Sequence, residues 1–298
     1  MDKLRVREDM FEDVPYTSSC LPIYSANRQL SNFLLHTMDC HWHRDFEFII
    51  IREGEMIYHV NDRDYPLSKG DGIFVNANRL HFGGPGTHGA AECLFICLLL
   101  HPSLLCADPY IENRFVNPLM YNSRYDAVFF PAGKKSWHGE AAARITALAE
   151  LAMKAPDDSA LEIQSGFYGL WSLLFTNTTA LAGPKEINGL QEDAILKRML
   201  SFIQKNYTGK ISLDDIAKAG RVCRSKCCLL FKRNLRQSVF EYLLSFRIRK
   251  SLSLLSNSGM SITEVAAASG FSGTSYYGEI FKRITGISPG EYRRKLRT

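Results

Sequence analysis

The sequence predicts a multi-domain α+β chain: an antiparallel β-barrel first, a helical connector next, and an all-α domain last. Three observations carry this. Between about Ser31 and Leu100, apolar residues recur with a period of two and are interrupted by frequent turn residues. After Trp137 the period becomes 3.6 and remains so to the end. Charge also divides the chain: Gln191 to Thr298 holds 20 Lys+Arg against 8 Asp+Glu, a net of +12, while residues 1–190 carry a net of −7. Such asymmetry points to a nucleic-acid or membrane partner for the basic half.

A chain of 298 residues has room for about two domains, and 46% hydrophobic with 22% charged residues excludes a disordered or fibrous protein. The opening, MDKLRVREDMFEDVP, alternates charge with single apolar residues and does not read as a secretory signal. The charge-free run from Ile163 to Pro184 contains Gln164, Asn177 and three threonines, too polar for the roughly 20 apolar residues of a membrane span. It reads as a buried helix, with no membrane partner. Cysteines at 20, 40, 93, 97, 106, 223, 227 and 228 form no CxxC pair. They read as reduced, mostly buried apolar groups of a cytoplasmic protein.

The β-half divides into short strands. Phe46, Phe48 and Ile50 alternate with Asp45, Glu47 and Ile49; Glu53-Gly54 reads as a turn before the strand EMIYHV. NDRD makes the next hairpin turn before YPL, KGDG (69–72) precedes the apolar IFV, and Cys93 to Leu100 is one apolar strand. The Ala- and Leu-rich stretch 140–155 predicts a helix ending before Pro156. A second helix is expected over Ser159 to Ala182, with Phe167, Trp171, Leu174 and Phe175 on one stripe and Gly183-Pro184 as its stop. The expected boundaries are a barrel over 1–136, a connector or dimerisation segment over 137–182, a linker over 183–190 and a basic domain over 191–298. The aromatic stripe packs on a neighbouring domain or pairs two subunits, and we expect a homodimer.

Two segments of the basic half repeat each other at an offset of 50, aligned on Phe231-Lys232-Arg233 and Phe281-Lys282-Arg283. Each reads as a short helix, a turn and a second helix: a helix-turn-helix unit, over about 211–233 and 261–283. In the second copy Ser261 caps the first helix, Gly270 makes the turn and Ser272 or Thr274 caps the next helix. There Tyr277, Ile280, Phe281 and Ile284 form the inward face, as Cys227, Leu230 and Phe231 do in the first copy. Between the copies, 239–256 reads as one long helix. Two linked units suit two adjacent major-groove segments of double-stranded DNA, about 34 Å apart. Candidate base-reading residues are Ser225, Cys228, Leu229, Ser275, Gly278 and Glu279; candidate phosphate contacts are Arg224, Lys226, Lys232, Arg233, Lys282 and Arg283.

The segment GFSGTSYYGEIFKRITGISPGEYR resembles the signature of the AraC/XylS family of bacterial transcription regulators, and the upstream repeat resembles that family's first helix-turn-helix. The resemblance covers about Ala194 to Arg294. It implies a seven-helix DNA-binding domain fused to an effector-binding or dimerising domain, a cytoplasmic, nucleoid-associated protein, and RNA polymerase as a partner if the protein activates. Where the family often has an arginine in each recognition helix this chain has Leu229 and Glu279, and where it often has a turn glycine this chain has Arg221 after Gly220.

In the acidic half, HWHRDFEFIIIREG places His41, His43 and Glu47 at alternating positions with Gly54 beyond, and GDGIFVNANRLH adds His81. Residues 41, 43, 45 and 47 would share one strand face, so these groups can converge. The pattern resembles the two cupin motifs, which implies a small barrel with three histidines and a glutamate in its mouth. Leu35, Asn76, Asn78 and Pro85 stand where those motifs carry glycine, proline, glycine and asparagine. Three readings follow, in order: an effector pocket; a bound divalent metal that can coordinate the effector; and structural histidines. Imidazole with carboxylate suits Zn, Ni, Fe or Mn, so His41, His43, Glu47 and His81 are the ligands if a metal is present, though no cofactor is required. Trp42, Phe46, Tyr58 and His59 are candidate walls. We expect a cupin-like sensor barrel for a sugar or related metabolite, coupled to a double helix-turn-helix regulator and not an enzyme. The alternative is a cupin metalloenzyme with a regulatory tail.

Overall fold

The computed structural model describes residues 4–7, 9–87, 92–133, 136–179, 188–257 and 259–295. The chain divides into two compact units, Met1–Asp193 and Ala194–Thr298. Among the described residues no helix is long and apolar enough to cross a membrane.

The first unit holds seven strands among its described residues: β1 (Ile23–Gln29), β2 (Phe46–Val60), β3 (Arg63–Ser68), β4 (Gly72–Val75), β5 (His81–Pro85), β6 (Cys93–Leu100) and β7 (Ala127–Phe130). All pairings are antiparallel. One sheet runs β1-β6-β2-β4-β7, while β3 and β5 pair with the far end of β2. The 15-residue β2 therefore belongs to both sheets. The expected turn at Glu53-Gly54 is not there: the strand continues through it with a β-bulge between Ile51 and Glu53. Gly54 has φ 76°, and a Cβ there would lie 1.9 Å from the Glu92 carbonyl oxygen, so only glycine fits this close approach. The hairpin after Val60 is as expected, turning at Asn61 (φ 50°) and Asp62.

The bulge changes which residues of β2 face the interior. Before it, Ile49 and Ile51 face the space between the sheets; after it, Met56, Tyr58 and Val60 do, packed with Phe95, Cys97 and Leu99 of β6. The opposite side of the first half, Phe46, Phe48 and Ile50, joins a second core with the helices. That is why Phe46 to Ile51 is buried without a break: the sheet is covered on both faces.

The covering is made by α3 (Trp137–Lys154) and α4 (Ala160–Thr179), after two short helical turns, α1 (Pro109–Ile111) and α2 (Asn117–Met120). Phe167, Leu170, Trp171 and Leu174 are buried, and Trp171 stacks on Phe46 with ring centroids 4.5 Å apart. Ser25 on β1 donates to the Ala149 carbonyl at 2.9 Å. The segment expected as a separate connector is thus part of the core of the first unit. Its aromatic stripe packs on the sheet, with Phe175 only half-buried. Of the expected linker, 183–187 lie outside the described residues, and Asn188 already begins α5 (Asn188–Asn206).

Among the described residues from Asn188 onward there are seven helices, as expected. After α5 come α6 (Leu213–Gly220), α7 (Arg224–Leu235), α8 (Val239–Asn257), α9 (Ile262–Ala268), α10 (Thr274–Thr285) and α11 (Pro289–Lys295). Ser212 and Ser261 each close a capping box, with Asp215 and Glu264 respectively. In the first turn Arg221 takes the left-handed conformation (φ 58°), because Gly220 is still helical and lies against Met199. In the second, Gly270 does so (φ 83°), and a Cβ there would lie 2.3 Å from the Tyr207 carbonyl oxygen. The cap of α10 is Gly273, not Ser272 or Thr274; Thr274 is already helical and its hydroxyl donates to Thr263 at 3.2 Å.

Removing the Trp171 ring leaves a hole in the core between sheet and helices. Trp171→Ala is expected to destabilise the first unit by about 3–5 kcal/mol. Denaturant unfolding followed by far-UV circular dichroism checks this, and a loss under about 1 kcal/mol would show that α4 is not docked as described.

Candidate functional site

Four segments bring the polar cluster of the first unit together. His41, just before β2, exchanges backbone hydrogen bonds with His81 on β5: the His41 N–H donates to the His81 carbonyl at 3.1 Å, and the His81 N–H donates to the His41 carbonyl at 2.9 Å. That pairing sets the two rings 4.2 Å apart. His43 follows two residues on, and the Nε2 and carboxylate positions meet above Glu47 on β2. His81 Nε2 lies 3.1 Å and His43 Nε2 3.9 Å from Glu47 Oε2. Metal-type ligand atoms of His41, His43 and His81 all lie within 4.8 Å of one another, and all three residues are buried.

The far side of each ring is fixed. Nδ1 of His41 lies 2.7 Å from the Asp39 carbonyl, that of His43 3.1 Å from the Asp45 carbonyl, and that of His81 2.8 Å from the Arg79 carbonyl. A carbonyl only accepts, so each Nδ1 carries the proton and each Nε2 is turned toward the others. This is the arrangement by which proteins present imidazole to a metal. Burial drives the His41 imidazole well below its usual value, and its positive neighbours add to this. Burial alone would lower His81 too, but the charge and hydrogen bond of Glu47 raise it above the ordinary imidazole value. Glu47, which burial would raise, is held below the ordinary carboxylate range by His81, His43 and His41.

Two further groups complete Glu47. The Tyr58 hydroxyl donates to its Oε2 at 2.9 Å, and the Cys97 thiol to its Oε1 at 3.6 Å. Tyr58 reaches it only because of the bulge. The other expected walls go elsewhere: Phe46 faces the helices, and His59 stacks on Phe82 at 4.3 Å with its Nδ1 2.8 Å from Asp64. Trp42 holds the N-terminal segment, its indole donating to the Asp9 carbonyl at 2.9 Å and its ring 4.9 Å from Phe11.

Glu12 is the residue that sequence reasoning missed. Its Oε2 lies 3.4 Å from His41 Nε2, it is 5% exposed, and burial followed by the Glu47 charge pushes its carboxyl up to about 7. Cys97 was missed as well. Beside the cluster is a small cavity bounded by Glu12, Arg28, His41, Glu47 and Cys97, with room for about one water-sized occupant. Leu35 and Asn78 keep positive φ (58° and 65°) at the two positions where the cupin motifs have glycine.

The second unit presents a surface in duplicate. Cys227, Leu230 and Phe231 of α7 are buried, as are their counterparts Tyr277, Ile280 and Phe281 of α10. Ser225, Cys228, Leu229 and Lys232 are exposed on α7, as are Ser275, Glu279, Lys282 and Arg283 on α10. Lys226 and Arg233 are half-buried, and Gly278 is half-buried with open space where a Cβ would be. Arg224 forms an exposed two-point pair with Asp214 of α6, so its guanidinium is engaged within the unit.

Known proteins match both units. A family model described as an AraC-like ligand binding domain matches residues 28–107, and one described as a helix-turn-helix domain matches residues 216–295. Across its length the chain is similar to the uncharacterized HTH-type transcriptional regulator YdeC of Bacillus subtilis, 27% identical over 274 residues and 92% of each chain. It is also similar to the melibiose operon regulatory protein of Escherichia coli, 22% identical over 95% of this chain and 93% of that one. Among solved structures, ToxT from Vibrio cholerae aligns over 93% of this chain and 99% of its own at 16% identity, with a TM-score of 0.43.

The Tyr58 hydroxyl donates to a buried carboxylate, a bond of the charge-assisted kind. Tyr58→Phe is expected to destabilise the first unit by about 1.5–3 kcal/mol. All three tryptophans (42, 137 and 171) lie in that unit, so denaturation followed by tryptophan fluorescence reads it separately. An unchanged midpoint would show that Glu47 does not rely on this donor.

Proposed function

This chain belongs to the AraC family of DNA-binding transcription regulators, and from that premise we propose that a small polar metabolite, a sugar or a relative of one, is recognised at the buried cluster and reported to DNA. The observation that carries this reading is the 50-residue repeat of buried and exposed positions on α7 and α10. Each helix turns one side into its unit and leaves small, polar and basic side chains outside, as a major-groove reader requires. The cluster supplies donors and acceptors on an enclosed site, the usual makeup of a small-molecule pocket. Leu4, Glu12 and Pro15 of the N-terminal segment bound the cavity on one side, so movement of that segment would enlarge it for a metabolite.

The exposed residues divide the work. Lys232, Lys282 and Arg283 suit phosphates. Ser225, Cys228 and Ser275 are short enough for base edges, Leu229 can pack on a thymine methyl, and Glu279 can accept from a cytosine amino group. Gly278 stands in the middle of α10, where glycine costs a helix about 1 kcal/mol relative to alanine, and no neighbour within its own unit forbids a Cβ. We assign it to the close approach of DNA. A homodimer on paired half-sites fits this reading, with RNA polymerase as a further partner if the protein activates.

The metal-type ligand set favours one second reading, a cupin metalloenzyme with a regulatory tail. Turnover of sugars or small acids with Fe or Mn supplied would establish it; we expect none.

On a fragment of the DNA upstream of its own gene, Lys232→Ala, Lys282→Ala and Arg283→Ala should each reduce the slope of log affinity against log salt by about one, whatever the sequence. Leu229→Ala and Glu279→Ala should change base preference instead. Gly278→Ala separates fold from function: it should raise the melting temperature of the second unit and weaken DNA binding. A flat salt dependence in the unsubstituted protein would contradict DNA binding through these helices.

A further inference from the structure

We infer that Asn61 is a positioning residue for the proposed signal: its side-chain amide ties the segment 76–81, which carries His81, to Asp193 at the end of the first unit, and so sets the start of helix α5. The inference rests on the sensing reading for what is transmitted, though not for the tie itself.

The tie begins with a backbone shape that few side chains accept. Asn61 turns the chain between β2 and β3 at φ 50°, a left-handed conformation that asparagine tolerates better than most residues. Its backbone N–H donates to the Leu80 carbonyl at 2.8 Å, and the Leu80 N–H donates to Asn61 Oδ1 at 3.2 Å. The two hydrogens of Nδ2 then meet two carboxylates, Asp126 Oδ2 at 2.9 Å and Asp193 Oδ2 at 3.2 Å. Arg79 pairs with Asp126 as well. Asn61, Arg79 and Asp193 are all buried, where a bond to a charged group is strong and its loss is costly.

The segment 76–81 also holds two rings of the histidine cluster. The Arg79 carbonyl lies 2.8 Å from His81 Nδ1, and the Asn78 N–H donates to the His43 carbonyl at 2.8 Å. Leu80, between Arg79 and His81, is the residue that Asn61 grips through both its backbone groups. A shift of His81 on binding a metabolite would therefore reach Asn61 through one intervening residue. Beyond Asp193, α5 continues into the second unit, where its Leu196, Met199, Leu200 and Ile203 are buried. A helix carries a change at its start along its length, because its backbone bonds fix each turn to the next.

The test uses the full chain, first with no metabolite added. Asn61→Gly keeps the left-handed turn and removes only the amide, while Asp193→Ala removes the acceptor. In both, hydrogen exchange of the backbone amides over 192–196 should quicken about tenfold or more. Alanine is the better helix former, so faster exchange in Asp193→Ala reports the lost tie and not helix propensity. Strands β1 and β6 should keep the parental protection, and the surface variant Glu150→Gln should match the parent throughout. The apparent Kd for the upstream DNA should change by about fivefold or more in each variant. The double variant should stay within about twofold of Asp193→Ala, since both substitutions break one tie. Parental exchange over 192–196 in Asp193→Ala overturns the tie, and faster exchange with parental DNA affinity overturns its part in the signal. A sugar or related metabolite that changes the Kd of parent and variants equally overturns that part too, with the sensing reading intact. Variants that shift the Kd where no such metabolite shifts the parent's would support the tie and count against the sensing reading alone.

Discussion

A carboxylate buried in a β-structure must be answered by its neighbours, and in this protein the first unit is organised around answering Glu47. Left unpaired, such a charge would cost several kcal/mol, a large part of a domain's net stability. His81 reaches it from β5, His43 from the approach to β2, Tyr58 from beyond the bulge in the same strand, and Cys97 from β6. Each partner depends on a backbone feature. His81 is placed by its paired bonds with His41, and Tyr58 by the bulge between Ile51 and Glu53. The cluster and the fold are in this sense one construction: a slip of one residue in β2 would send Glu47 into the apolar core beneath α4.

The same strand shows where sequence reasoning stops. Alternation from Phe46 to Ile51 is legible, and so is the convergence of His41, His43, Glu47 and His81, because motif spacing and a period of two are local properties. Glu53-Gly54 looks like a turn, since a glycine with positive φ serves turns and bulges alike; only the neighbouring strand decides between them. Reading it as a turn leaves the facing of Tyr58 and His59 open, and the bulge decides it. Glu12 and Cys97 carry no motif at all. Their place in the cluster comes from two segments meeting Glu47 across the fold, which neither spacing nor composition encodes. The helices over 137–179 were legible as helices, but not as the cover of a sheet whose outer face is as apolar as its inner one.

The second unit was legible almost throughout, for a physical reason. It is built twice, so each expected contact had a second instance 50 residues away to check it. Buried residues, capping boxes and the connecting helix all follow from periods within one or two turns of helix. The one misreading there is local as well: Gly273 rather than a hydroxyl residue precedes α10. Which of Gly220 and Arg221 turns left-handed was open in the sequence, and it is Arg221. Neither alters which residues of α7 and α10 lie outside.

On the proposed function, a signal begins at the buried cluster and ends at DNA. The most direct measurement is the affinity of the full chain for its upstream DNA at one fixed salt concentration, across a panel of sugars and related small metabolites. The predicted result is an apparent Kd that one of them changes by about fivefold or more, a difference lost in His43→Gln. Tight DNA binding whose Kd no member of the panel changes would contradict it.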